Sequence, residues 1–128
     1  MKSSLQILSA LYKLINVDVV NNIISGEVFI GDEPDGNQDE NITLNTLTNP
    51  NEYLQSGYAN VNVHIKEVKS GRPNLEKFNE IIAVLIPLLE DSMSDNVYFQ
   101  IDDDKGIFKD VEKDSMYFYN LKLKFQTL

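Results

Sequence analysis

The stretch that decides the fold is Ser-Met-Tyr-Phe-Tyr-Asn-Leu-Lys-Leu-Lys-Phe, residues 115–125. Side chains alternate across a strand, so Tyr117, Tyr119, Leu121, Leu123 and Phe125 share one face, and Met116, Phe118, Asn120, Lys122 and Lys124 share the other. A period of two with one apolar and one mixed face predicts a sheet strand. The chain stops three residues later, so this strand is expected to close the domain.

Working outward, Val97, Phe99 and Ile101 alternate in the same way, and residues 107–111 read as a further short strand. The run Asp102-Asp103-Asp104-Lys105-Gly106 between them reads as a hairpin turn. Upstream, Ala59, Val61, Val63 and Ile65 alternate with Asn60, Asn62, His64 and Lys66, a strand expected over residues 58–68. Residues 27–31 and 41–48 supply two more strands.

Two segments carry helical spacing instead. Leu5, Leu8, Leu11, Tyr12 and Ile15 form a stripe over residues 4–15, with Ser4 available as a cap. Leu75, Phe78, Ile81, Ile82, Leu85, Leu88 and Leu89 form a second stripe after Asn74, interrupted by Pro87, which must either kink the helix or restart it. A short helical or irregular piece over residues 18–25 ends at Gly26, and Asn49-Pro50 opens a turn or single winding that stops near Gly57. The order predicts an α+β fold: a largely antiparallel mixed sheet packed against one long helix plus an N-terminal helix, in a single domain over residues 1–128.

Composition narrows the function. The 128 residues carry a net charge of -9, so DNA, RNA and anionic membranes repel the chain, and sequence-specific nucleic-acid binding is not expected. Cysteine is absent, which removes disulfides, thiolate metal sites and a cysteine nucleophile. No apolar run reaches the ~18 residues of a membrane span. Tyr12, Lys13 and Asn16 break up the N-terminal apolar stretch, which reads as a helix of the domain and not as a signal peptide.

The chemistry-bearing patterns fail one by one. A calcium loop needs glycine at its sixth position and glutamate at its twelfth. Counting from Asp102 these are Ile107 and Lys113; counting from Asp32 they are Asn37 and Thr43. His64, the one histidine, has no second ligand or nucleophile at a telling spacing and reads as a surface or interface residue. Gly26 and Gly31 fit no phosphate-binding loop, and there is no nucleophile elbow. No catalytic, cofactor-binding or metal residue is predicted, and no cofactor.

What remains is interface chemistry. Residues 32–40 hold five carboxylates around an Asp35-Gly36 turn and are expected to project from the body. Asp32, Asp35, Asp39 and Glu40 are therefore candidate contact residues. Met116 and Phe118 are the others, because apolar groups on the second face of the last strand need a cover, from the N-terminal helix or from a neighbouring subunit.

On element order the chain resembles tailed-phage proteins of the tail-terminator and tail-completion (head–tail joining) type. The likeness rests on the strand Asn60-Val61-Asn62-Val63-His64-Ile65, the loop Gly71-Arg72-Pro73-Asn74, the helix that follows, and the strands at 97–101 and 116–125, with the loop 31–41 and strand 42–47 upstream. It implies a non-enzymatic subunit, made in the bacterial cytoplasm and placed in the virion tail or neck. It also implies rings, commonly hexameric, with an acidic lumen, joined to other tail or neck proteins. The other expectation left open by the residues is a small bacterial ligand- or peptide-binding module without catalysis.

Overall fold

The computed structural model describes residues 2–48 and 56–127. Its elements are α1 (Ser4–Ile15), α2 (Asp18–Asn21), β1 (Val28–Ile30), β2 (Asn41–Thr48), β3 (Ser56–Lys66), α3 (Leu75–Leu89), β4 (Ser92–Ser94), β5 (Val97–Lys109) and β6 (Met116–Thr127). The strands form one curled sheet in the order β1-β2-β3-β6-β5-β4, and every pairing is antiparallel except β1 with β2. The fold is α+β with a mixed sheet. The expected long helix and N-terminal helix are both present, but at 15 and 12 residues they are of comparable length, so no one long helix dominates the layer. The turn expected at 49–57 lies mostly outside the described residues; Gly57 itself belongs to β3.

The sheet is built outward from β3 and β6. They pair without interruption from Ser56↔Gln126 to Lys66↔Met116. Ala59, Val61, Val63, Leu121, Leu123 and Phe125 have no exposed surface, and they meet Ile7, Leu11, Ile15, Phe78, Ile81 and Leu85 of α1 and α3 in one core. Both helices therefore lie on the same face of the sheet, and the N-terminal helix does not cover the second face. The helix starts are capped as their residue types allow. Ser3, one residue before the expected cap, forms a capping box with Gln6, and the Asn74 side chain accepts the Lys77 N–H at 3.1 Å. Pro87 neither splits α3 nor ends it at once. It falls in the last turn, so the one helical bond it removes, to the carbonyl of Ala83, lies close to the helix end and few residues follow it.

The largest correction concerns residues 102–106. They are not a hairpin turn: β5 runs through them as one strand beside β6, with register shifts at Ile101/Asp103 and Asp104/Gly106. Bulges absorb the irregularity, and Gly106 supplies the left-handed backbone (φ 82°) that one of them uses. The acidic run is tolerated because it lies beyond β4, where β5 is an exposed edge. Asp102 faces Lys122 at 3.7 Å. Burial, helped by a hydrogen bond to Asp104, pushes the Tyr119 phenol up to about 12. The true turns lie on either side: Asp95 and Asn96, both at positive φ, join β4 to β5, and residues 110–115 join β5 to β6.

Phe125→Ala should cost about 3–5 kcal/mol, since it opens a cavity where the central strands meet the helices. Val111→Ala, at a side chain left almost wholly in solvent, should leave the denaturant midpoint unchanged.

Candidate functional site

The helix-free face of the sheet carries Thr43, Asn45, Asn60, Asn62, His64, Phe118, Asn120 and Lys122, all on the opposite pleat from the core. Side-chain amides link its strands. Asn60 Nδ2 donates to Asn45 Oδ1 at 3.0 Å, and Asn120 Nδ2 donates to Asn60 Oδ1 at 3.1 Å and Asn62 Oδ1 at 2.7 Å. Phe118 stacks on Phe108 (5.5 Å between centroids) and sits 6.0 Å from the His64 ring. At one end of this face a cleft of about 230 Å³ is lined by Asp32, Glu33, His64, Asp110, Lys113 and Phe118, together with Asp35, Thr43, Asn62 and Glu112. A larger, shallower hollow of about 490 Å³ beside the start of α1 has one acid, Asp95, already paired with Lys13 at 2.8 Å.

The cleft exists because two loops are folded onto the sheet. Asn41, the fully buried first residue of β2, accepts the Glu27 N–H at 3.0 Å and donates to Glu33 Oε2 at 2.6 Å and Asn37 Oδ1 at 3.1 Å. Ser25 and Glu40 exchange two further bonds, 3.1 and 2.8 Å, between backbone N–H groups and side-chain oxygens. Asp35-Gly36 is the centre of a turn closed by Asn37 N–H on Pro34 C=O. On the other side, Asp110 Oδ1 accepts the N–H groups of Glu112 (3.0 Å) and Lys113 (3.3 Å), a turn that aims Lys113 inward. Lys113 Nζ then reaches Glu33 Oε1 at 2.5 Å. The acidic loop is thus pinned down through its own glutamate and does not project as its composition suggests.

His64 stands at the floor. Its Nε2 is 2.8 Å from Thr43 Oγ1, and its Nδ1 is buried, 3.7 Å from Glu33 Oε1, without a hydrogen-bond partner among the described residues. Burial holds the imidazole below its usual pKa of 6.5. Glu33 and more distant Asp110 and Asp32 pull it up, while Lys113 pushes it down. Near neutral pH the ring is therefore uncharged, and Lys113 is the cation that balances Glu33. The series carboxylate–imidazole–hydroxyl has the order of a nucleophilic relay. Two features work against that use: Glu33 is spent on Lys113 and Asn41 and stands too far from Nδ1, and the surrounding carboxylates would repel a developing oxyanion.

Of the sequence-predicted contact residues, Asp32, Asp35 and Phe118 line the cleft. Asp39 and Glu40 do not. Glu40 turns back to Ser25 and lies 3.7 Å from Lys77, and Asp39 is exposed beyond it. Met116 must be withdrawn as a contact residue: it has no exposed surface, and the turn after β5 returns to it, with Asp110 N–H on its carbonyl. His64 is likewise not a surface histidine; its side chain is 13% exposed. Glu33, Thr43 and Lys113 carried no signal of their own. Lys113 meets Glu33 across eighty positions of chain, whereas Thr43, Asn62 and His64 are a same-face group once the β2–β3 register is known.

No protein-family model matches the chain, and no curated protein does. Solved structures do match. One chain, at 12% identity, superposes with a TM-score of 0.58 over 100% of this chain and 97% of its own length. At that identity the likeness establishes the fold alone.

Gly26 has no room for a side chain, since an added Cβ would sit 1.8 Å from Asn41 Oδ1. Gly26→Ala should therefore break the Asn41 network and cost about 2–3 kcal/mol in chemical denaturation. His64 also sets a pH dependence. Its folded pKa lies below the unfolded value, so in the interval below pH 6.5 the unfolded chain binds a proton that the native state refuses. The stability is complete above pH 6.5 and declines as pH falls through that interval. His64→Gln should flatten this part of the profile, read as the difference between the two melting curves across pH.

Proposed function

We propose that this chain is a structural subunit of a phage or prophage tail or neck, assembling into a ring at the tail end or head–tail junction and acting without chemistry of its own. The observation that carries the reading is the helix-free sheet face beside an open strand edge. Leu47 and Phe108 are 52% and 44% exposed, and with half-buried Phe118 they border one shallow depression of that face. β4 pairs only with Val97–Phe99, so the outer edge of β5 beyond it is free of a strand partner among the described residues. An apolar group beside unpaired backbone N–H and C=O groups suits strand-edge docking, and a contact between two different patches of one chain closes into a ring when the rotation allows. The bulges and acidic run on that edge blunt indiscriminate pairing while leaving a shaped partner free to dock.

The charge supports the same reading. A ring of subunits each carrying -9 repels DNA passing through it and favours no sequence. Partners in this reading are further copies of the chain, six in the family it resembles, and neighbouring tail or neck proteins. No helix among the described residues is long and apolar enough to cross a membrane. The second reading, a ligand- or peptide-binding module, is favoured by one observation, the built cleft at His64.

Light scattering after size exclusion, with native mass spectrometry, should find a discrete oligomer. Phe108→Asp should dissolve it while lowering the melting temperature of the subunit only modestly, because that ring is 44% exposed in the single chain and gives up mainly its stack on Phe118. A wild-type chain that stays monomeric at every concentration, alone and with tail-tube proteins, would refute the assembly.

A further inference from the structure

We infer that the surface docking on the helix-free sheet face is the outer side of α3 of a second copy, so that the chain associates front to back. The inference rests on the assembly reading above and names the second of its two patches. The sheet side is an apolar patch with a basic border. Leu47, Phe108 and Phe118 line the shallow depression of about 260 Å³, together with Asn60, Asn120 and Lys105. Lys122 and Lys124 share the same pleat. Lys122 lies over the Tyr58 ring and 3.7 Å from Asp102, and Asp103 is its register partner. Lys105 and Lys124 have no ion pair among the described residues. Three lysines thus outweigh two aspartates at this end of the face, in a chain whose net charge is -9.

The outer side of α3 has the converse pattern. The helix turns Phe78, Ile81, Ile82, Leu85 and Leu89 to the core, and its period places Glu76, Glu80, Ala83, Ile86, Pro87 and Glu90 together on the exposed side. Leu75 and Ile86 there are 63% and 36% exposed, large apolar groups that the single chain leaves in solvent. The nearest cation, Lys77, is already shared between Glu40 and Glu80, at 3.7 and 3.4 Å. Glu76 and Glu90 have no ion pair among the described residues. The other helix of the layer does not match, because α1 holds no acidic residue.

These charges decide which patch meets which. Two sheet faces brought together would set lysines against lysines, and two α3 sides would set glutamates against glutamates. Only the unlike pair places an ammonium opposite a carboxylate around two apolar centres. An apolar centre that sheds water inside a charged border is the anatomy of a protein interface. Because the two patches differ, each copy keeps one patch free after docking, and the contact repeats head to tail.

The test is sedimentation equilibrium of the full chain, with thermal melting by circular dichroism to check that each variant is folded. Ile86→Asp should abolish association. Surface charge variants give a second route that leaves the core untouched. Lys105→Glu with Lys124→Glu should weaken association by about tenfold. Adding Glu76→Lys and Glu90→Lys to that chain cancels the change in net charge and should restore wild-type association, since the two borders have exchanged signs. Full-strength association of Ile86→Asp, or of the lysine variant, overturns this contact and leaves assembly standing on another surface. Failure of the added glutamate changes to rescue overturns the direct pairing of the two patches. A wild type that never associates removes this contact together with the assembly reading.

Discussion

The pairing of β3 with β6 is the constraint on which the rest depends. Eleven residue pairs run in unbroken antiparallel register, joining parts of the chain some sixty positions apart. Because side chains alternate, a slip of one residue by β3 would carry Val61 and Val63 out of the core and bring Asn60 and Asn62 into it, and a slip by β6 would exchange Leu121 and Leu123 for Asn120 and Lys122. The register is therefore fixed by burial on one face. The amide bonds of Asn120 to Asn60 and Asn62 on the opposite face agree with it, so two unrelated interactions specify one alignment.

That alignment also builds the cleft. His64 lies near the end of β3, where β2 enters through Asn41 and where β6 begins after the turn at 110–115. Polar residues at this sheet end are not left to solvent. Two loops close over them and satisfy most of their groups; Glu33 with Lys113 forms the joint between the loops, and Asn41 ties Glu33 to the strand. The arrangement places a buried carboxylate, an uncharged imidazole and an ammonium within one small volume, which is costly unless each is paired. Glu33 and Lys113 are paired; His64 Nδ1 has no hydrogen-bond partner among the described residues.

The two candidate surfaces differ in physical character. The depression at Leu47, Phe108 and Phe118 is apolar and open, suited to burial against another protein surface. The cleft is acidic and structured, with its polar groups held by hydrogen bonds and one ion pair. Phe118 belongs to both, so an occupant of one alters the wall of the other.

The sequence by itself determined the strands at β3 and β6, the faces they bury, the stripes of α1 and α3, and the α+β class, because each rests on a local period of two or 3.6. It misread residues 102–106 because a run of aspartates before glycine has turn chemistry, and only pairing with β6 decides that an edge strand can carry it through bulges. It misplaced Met116, since alternation assigns a face but cannot say whether a neighbouring turn returns over it. Tertiary structure alone decided the cleft. Glu33 and Lys113 lie eighty residues apart, and neither residue type, spacing nor charge marks such a pair until the chain has closed on itself.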